Sequence, residues 1–268
     1  MKAIRVIAVN VFRESVRDKV LYNLVLFAIL LMGASYLLGQ LTAGQDVKII
    51  KDLGLAATSV FGLFIAVFIG IGLVSKEVER RSIYSLLSKP IERYQLVIGK
   101  YVGLTLTLAV NLSVMAVALY GVLAYMAWVA GPSAAAAWDA PALDPALLKA
   151  LTLIFVELAV VTAIAVFFST FSTPMLSAAL TFGLFLAGRF SADLRNFNDV
   201  VESPAAATLA RALYWILPNL AAFDVRAQVV HGQPVPAAAM LLPTVYGLLY
   251  IAALIVAAVA IFARRDFK

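Results

Sequence analysis

The chain has no cysteine and a single histidine, His231, so disulfides, iron–sulfur clusters and thiolate metal sites are excluded. Charged residues are also scarce, at 13% of the 268 residues, whereas an ordinary soluble domain has about 25%. Hydrophobic residues make up 63% of the chain, and its mean hydropathy is +0.98. A water-soluble fold could not bury so much apolar surface, so the composition indicates an integral membrane protein.

The sequence contains several long stretches with few or no charged residues. The hydrocarbon core of a bilayer is about 30 Å thick and needs roughly 20 apolar residues per helix. The apolar run over residues 150–190 is too long for one span, and Pro174, after a hydroxyl-rich stretch, predicts a tight hairpin within it. We therefore predict an all-α integral membrane protein, a single domain over residues 1–268, with six transmembrane helices at about 20–41, 53–75, 101–130, 150–171, 174–190 and 240–263.

Arginine and lysine are divided unevenly between the two sides that these spans define. Short loops rich in these residues stay in the cytoplasm. Residues 1–19, the 76–100 connection and the tail hold fourteen of the 21 Lys and Arg residues, and the opposite side holds seven over much more chain. We predict that both termini are cytoplasmic, in a multi-pass protein of the cytoplasmic (inner) membrane. Topology then explains the net charge of +6 without nucleic-acid binding.

Two segments outside the spans have amphipathic patterns. Residues 4–19 alternate apolar and charged positions at helical period, which predicts a helix lying in the inner headgroup layer. This helix would be either a passive anchor or a lever that touches a partner. On the outer side, residues 211–217 and 220–230 predict two short helices separated by Pro218, hence a broken extracytoplasmic helix between spans five and six. It would form either a partly re-entrant lid or a loop that packs on its neighbours.

The most informative stretch is the connection between the second and third spans, residues 76–100, which reads KEVERRSIYSLLSKPIERYQLVIGK. Its apolar residues Ile83, Leu86 and Leu87 follow a helical spacing, which predicts a short amphipathic helix with a hydrophobic edge. Pro90 ends this helix and is well placed to open the next one, which runs into the third span. We call residues 76–100 the coupling connection.

The coupling connection resembles that of the membrane subunits of type 2 ABC exporters, where it has the form E-x-G-T-L-x-x-L-L-x-x-P-x-x-R-x-x-x-x-x-G-K. Two positions depart from this form, since Arg81 replaces the glycine and Ser82 replaces the threonine. Within this group of exporters, the sequence of the connection is most similar to the branch associated with multicopper-enzyme maturation. The matching residues are Glu79, Ser82, Ile83, Leu86, Leu87, Pro90, Arg93, Gly99 and Lys100.

The resemblance implies that the connection is a coupling helix that docks in a groove of a separate ATPase subunit. Arg80 and Arg81 would serve either docking or orientation, and Gly99 with Lys100 would begin the third helix. The alternative is that the charges only orient the chain and that Gly99 and Gly103 only permit close helix packing. No G-x-x-x-x-G-K-[ST] loop is present, so ATP hydrolysis would come from another chain. The permease would pair with a second copy of itself or a close relative, and no cofactor is implied.

Glu157 and Asn111 are two polar residues inside predicted spans for which a role can be considered. Glu157 is the one acid in a span, and such residues usually face the bundle or a cavity. It is a candidate for the substrate path or the dimer contact, and a position near the outer interface is the alternative. Asn111 predicts a hydrogen bond between helices. Neither residue identifies a substrate.

Two other classes of function are weaker readings of the same sequence. A secondary transporter or channel driven by ion gradients would call for paired intramembrane acids or half-helices, which the sequence lacks. An intramembrane enzyme would need a cluster of catalytic or metal-ligating residues in or beside the spans, and none is apparent. An ABC export permease without its own catalytic site is the favoured prediction.

Overall fold

A computed structural model describes residues 2–40, 46–79, 92–135, 138, 140–191 and 217–264, with side chains except at 72–79 and 132–135. These residues form helices and turns and include no strand. In chain order the α-helices are α1 (Lys2–Val16), α2 (Lys19–Gln40), α3 (Asp46–Glu79), α4 (Arg93–Ala135), α5 (Ala146–Ser169), α6 (Pro174–Arg189), α7 (Arg226–Val230) and α8 (Ala237–Arg264), with a 3-10 turn at Ala221–Phe223.

Helices α3 and α5 form the centre of the bundle. Their most apolar windows are 72% and 78% buried, against 17% for α8 and 28% for α2. Helix α5 is apolar on all sides, as expected for a helix that is surrounded by others. It packs against α3, α4, α6 and α8, and α2 packs against α3 and α4. The outer helices therefore expose wide apolar faces, which suits a bilayer rather than water.

Five of the described helices are long and apolar enough to cross a membrane, namely α2, α3, α4, α5 and α8. Helix α6 occupies the region of the fifth predicted span but has only 16 residues. At 1.5 Å per residue it is about 24 Å long, shorter than the roughly 30 Å hydrocarbon core. The six-span count thus depends on α6 crossing with the help of its flanking residues.

The turn between α5 and α6 follows from local sequence. Ser169 ends α5, and Pro174 occupies the first turn of α6, where a missing backbone N–H has no consequence. The hydroxyls of Thr170 and Ser172 donate to the carbonyls of Phe167 and Phe168. The last carbonyls of a helix lack an N–H donor within the helix, and here they accept from these hydroxyls and from backbone N–H groups of the turn.

Two local predictions are wrong. Asn111 donates its amide to the carbonyl of Thr107, one turn earlier in α4, at 2.8 Å, and so bonds within its own helix rather than between helices. The helix predicted over 220–230 is interrupted, because the 3-10 turn at Ala221–Phe223 is separated from α7 by Asp224, whose backbone is extended. The other helix predicted in this region, at 211–217, lies almost wholly outside the described residues.

Candidate functional site

The two ends of the bundle carry different polar features. At one end, α1 packs against the start of α4, and the start of α4 contacts the last turn of α8. Helix α3 also runs to this end, since the coupling connection joins it to α4. We call this the coupling end. The opposite end contains the start of α3, the end of α6 and the segment 217–235.

Most of the predicted docking residues cannot be placed. Arg80, Arg81, Ser82, Ile83, Leu86, Leu87 and Pro90 lie outside the described residues. Glu79 is the last residue of α3, and only its backbone is described. Among the predicted site residues, the structure therefore describes the side chains of Arg93 and Lys100, the position of Gly99, and Glu157.

Gly99 and Gly103 form the contact between α4 and α1. A Cβ atom at Gly99 would lie 2.8 Å from the Cβ of Ile7, and one at Gly103 would lie 2.6 Å from the carbonyl oxygen of Ala8. Such distances are too short for any side chain, so both glycines allow the two helices to approach closely. Lys100, between them in sequence, is buried. The third helix begins at Arg93, before the Gly99–Lys100 pair that the resemblance placed at its start.

Arg93 binds the end of the last helix. Its Nη1 donates to the carbonyl oxygens of Phe262 at 3.2 Å and Ala263 at 2.8 Å. Both carbonyls belong to the last turn of α8, where backbone acceptors have no partner within the helix. The guanidinium charge is also favourable at this negative end of the helix dipole.

At the opposite end, Glu157 pairs with Arg189. Glu157 is 1% exposed, and its Oε1 lies 3.2 Å from Nε of Arg189 at the end of α6. This is an ion pair without hydrogen-bond alignment, because Oε1 receives no hydrogen bond from any described residue. Glu157 therefore faces the interior of the bundle, and its one described ionic contact is with α6.

Asp224 connects Arg189 to Arg226. Arg189 Nη1 donates to its Oδ2 at 2.8 Å, and Arg226 donates to both of its oxygens, through Nη2 at 2.8 Å and Nε at 3.1 Å. Burial acts to raise the pKa of Asp224, but the hydrogen bonds and charge of Arg226, with the charge of Arg189, lower it to about 2. The same pairing raises the pKa of Arg226. Asp224 is therefore ionised at neutral pH. We call Glu157, Arg189, Asp224 and Arg226 the charge cluster.

The segment 217–230 is packed into the bundle beside this cluster. Leu220 and Phe223 are almost fully buried. The N–H of Leu220 donates to the carbonyl of Gly188, and the hydroxyl of Tyr246 in α8 accepts from the N–H of Asn219 at 3.0 Å. A Cβ atom at Gly188 would lie 2.7 Å from the carbonyl oxygen of Pro218. The described part of this region, residues 217–230, is therefore packed against α6 and α8.

Lys51 makes a second set of polar contacts at the end of the bundle opposite the coupling end. Its side chain is fully buried at the start of α3, donates to the carbonyl of Pro141 at 2.9 Å, and lies 3.8 Å from Oδ2 of Asp144. A buried ammonium is stable only with such acceptors. Lys51 thus fixes the connection between α4 and α5 to α3.

A cavity of about 600 Å³ lies between the start of α3 and α7. Asp224 and Arg226 of the charge cluster form part of its wall. Within the described part of the chain, no group of three or more His, Asp or Glu residues could hold a metal ion. The cavity is lined by Lys48, Ile49, Asp52, Ala56, Asp224, Arg226, Ala227, Val230 and His231.

The pairing of Glu157 with Arg189 in the charge cluster could have been predicted from the sequence. Glu157 and Arg189 are the only charged residues in the run 150–190, and a hairpin centred near residue 171 brings positions fourteen before it and eighteen after it to similar heights. Arg189 is one of the seven Lys and Arg residues that the charge count places on the outer side, and its pairing with Glu157 was not predicted. Asp224 and Arg226 follow after a long stretch, and no local pattern relates them to Glu157.

The five long apolar helices of the described part and their apolar outer faces define a multi-pass helical membrane protein. The chain matches the family model described as "ABC-2 family transporter protein" over residues 5–267. The chain therefore belongs to the ABC-2 transporter family, and it is a permease subunit of an ABC transporter. A comparison with curated proteins gives no significant match. Members of this family are membrane transport subunits, generally not catalytic themselves, that associate with an ABC ATPase.

Proposed function

We propose that this chain is the membrane-spanning subunit of an ATP-driven exporter, powered by a separate ATPase subunit that docks on the coupling connection. The family match over residues 5–267 carries the proposal. The coupling connection supports it, because it combines a charged, amphipathic sequence with attachment to two central or near-central helices, α3 and α4. The resemblance to the multicopper-enzyme-maturation branch suggests the subfamily.

The proposed orientation places the coupling end in the cytoplasm. The charge distribution supports this, since fourteen of the 21 Lys and Arg residues belong to residues 1–19, the coupling connection and the tail. The charge cluster would then lie at the outer surface of the inner membrane. In the working transporter two such permeases, identical or closely related, would enclose the substrate path. Six spans would bring both termini to the cytoplasmic side.

Glu157 has a structural role in this proposal. Its carboxylate is buried among the helices of one subunit and paired with Arg189, so it fastens α5 to α6. A substrate-binding acid would instead be expected to line an open cavity, and Glu157 is not among the residues that line the cavity beside α7.

The docking role is tested by charge reversal at Glu79. We expect Glu79→Lys to leave the permease in the membrane while at least halving the amount of ATPase subunit that co-purifies with it. Glu14→Lys is a matched control, because Glu14 is an exposed acid at the coupling end, outside the connection. The Glu14→Lys permease should co-purify with the same amount of ATPase subunit as the wild-type permease. An unchanged ratio for Glu79→Lys would refute docking through Glu79. If no ATPase co-purifies even with the wild-type chain, the alternative of a gradient-driven transporter gains support.

A further inference from the structure

The resemblance assigns Arg93 to the docking contact, but in the structure its guanidinium contacts the C-terminal end of α8. Nη1 is shared between the carbonyl oxygens of Phe262 and Ala263, residues that are 169 and 170 positions away in sequence. The side chain is half-buried. The contact therefore joins the start of α4, the helix that follows Pro90 in the coupling connection, to the C-terminal end of α8.

The chemistry of this contact favours arginine. The last four carbonyls of an α-helix have no partner within the helix, and a cation at this end also interacts favourably with the helix dipole. A planar guanidinium can donate to two adjacent carbonyls and keeps its charge at any physiological pH. A lysine ammonium also has three donors, but it is a point charge on a flexible stem and fixes the geometry less.

Helix α8 packs along α5 and touches α4 less extensively, so the Arg93 contact is a main link between α8 and α4. Only 17% of its most apolar window is buried. Near its other end, Tyr246 accepts from the backbone of Asn219, and Gly247 packs closely on Val156 and Phe223. Helix α8 is thus joined to the start of α4 at one end and to the packed segment 217–230 at the other.

We propose that Arg93 is a positioning residue that makes α8 move with α4 when the ATPase subunit displaces the coupling connection. Movement at the coupling end then reaches the segment 217–230 through the length of α8. This inference rests on the proposed function, since it assumes that the connection is where the ATPase acts. It differs from the docking role, because the contact lies within one permease subunit.

The test uses the complete permease–ATPase complex and the absence of cysteine from the chain. Glu92→Cys and Arg264→Cys introduce exposed thiols on the two sides of the Arg93 contact. Their yield of cross-linking by a short bifunctional maleimide reports whether α4 and α8 stay together. Arg93→Gln is compared with Arg93→Lys, and Arg17→Gln is the matched control because Arg17 is an exposed arginine at the same end.

For Arg93→Gln we expect a wild-type ratio of co-purified ATPase, a cross-linking yield at least threefold lower, and ATP turnover by the complex at least threefold lower. Arg93→Lys should recover part of both losses, and Arg17→Gln should resemble wild type. Arg93→Lys also serves as the folded variant if Arg93→Gln does not accumulate. Loss of the ATPase subunit with unchanged cross-linking would overturn the inference and assign Arg93 to docking. Wild-type cross-linking and turnover in Arg93→Gln would overturn it as well.

Failure of the proposed function would look different. If the wild-type chain binds no ATPase, the docking proposal fails, while the cross-linking yield still reports whether Arg93 joins α4 to α8. An effect of Arg93→Gln on that yield alone, without any effect on ATP turnover in an intact complex, would show a purely structural contact and would overturn the positioning role.

Discussion

Arg189 holds carboxylates from two parts of the chain that are far apart in sequence. It lies 3.2 Å from Glu157 in α5 and 2.8 Å from Asp224 before α7. Glu157 is 1% exposed, and its described ion pair is with Arg189. Removing one member of a buried pair leaves the other charge in a medium that solvates it poorly, which is more destabilising than removing both.

We expect Arg189→Met to reduce the free energy of unfolding by about 3 kcal/mol, because Glu157 is left buried without its cation. The double variant Arg189→Met, Glu157→Gln should recover most of this loss. Thermal unfolding of the purified protein in detergent measures both, with Arg5→Met as an exposed-arginine control. Additive effects of the two substitutions would show that Glu157 and Arg189 do not depend on each other.

Asp224 predicts a specific response to acid. Its pKa is lowered from 3.8 to about 2 in the folded protein by Arg226 and Arg189, which outweigh the effect of burial. A carboxyl with a lower pKa in the folded state stabilises the fold above its unfolded pKa and loses this effect as the pH falls through the folded pKa. The window is therefore about pH 4 to pH 2, and the contribution is about 1 to 2 kcal/mol after allowance for partial exposure.

We expect Asp224→Asn to be less stable than wild type at pH 6, and the difference to shrink as the pH is lowered from about 4 to 2. Unfolding temperatures of both proteins across this range provide the measurement. Asp52→Asn, which removes another acid from the same cavity wall, is the control for loss of a negative charge there. A constant difference between Asp224→Asn and wild type at all pH values would contradict the ion-pair assignment.

At the scale of the elements, α1 packs closely on α4 because two residues of α4 at the contact are glycines. A methyl group at Gly103 would overlap the carbonyl oxygen of Ala8 and the side chain of Val11. Backbone cannot yield as a flexible side chain can, so the two helices would have to separate. Gly121 lies in the same helix, and a Cβ atom there would meet nothing within 4 Å.

We expect Gly103→Ala to destabilise the protein by about 1 to 3 kcal/mol through overpacking. Gly121→Ala should be neutral or should stabilise it by up to roughly 1 kcal/mol, because alanine is the better helix former. Paired unfolding measurements on these two substitutions isolate the helix contact from the general effect of alanine. Equal stability of the two variants would mean that α1 is not held by the contact at Gly103.

The sequence predicts an element well when the residues that determine it are close together in the chain. The hydropathy of a span depends only on neighbouring residues, and helices occupy all six regions where spans are predicted. The predicted hairpin also lies between two of these helices, from Ser169 to Pro174. The break at Asp224 was missed, because the ends of short helices depend on tertiary packing, here of Phe223 against Gly247. The motif predicts a docking role for Arg93, which stays a prediction. Its acceptors lie about 170 residues away, and no local pattern shows that contact.

At the scale of the whole molecule, family membership confirms the prediction of an ABC transporter permease in a multi-pass membrane protein. The orientation stays a prediction. It can be tested directly because the chain has no cysteine, so an introduced thiol is the only one that reacts.

We expect a membrane-impermeant maleimide to label Gln228→Cys in intact cells and to label Arg13→Cys only after the cells are permeabilised. Both positions are exposed, one in α7 and the other in α1, so access differs only by the side of the membrane. The unmodified chain is the control and should not react. Labelling of Arg13→Cys in intact cells would reverse the orientation and place the coupling connection on the wrong side for a cytoplasmic ATPase.

Helix α4 extends well beyond what is needed to cross the bilayer. It runs from Arg93 to Gly131, whose φ of 72° ends the regular helix. At 1.5 Å per residue these 39 residues are about 58 Å long, nearly twice the thickness of the hydrocarbon core. A tilt of about 5° around its midpoint would carry its two ends roughly 2 to 3 Å in opposite directions, by the geometry of a rod of this length. Because α4 projects past the lipid, a small push below the membrane produces a measurable displacement above it.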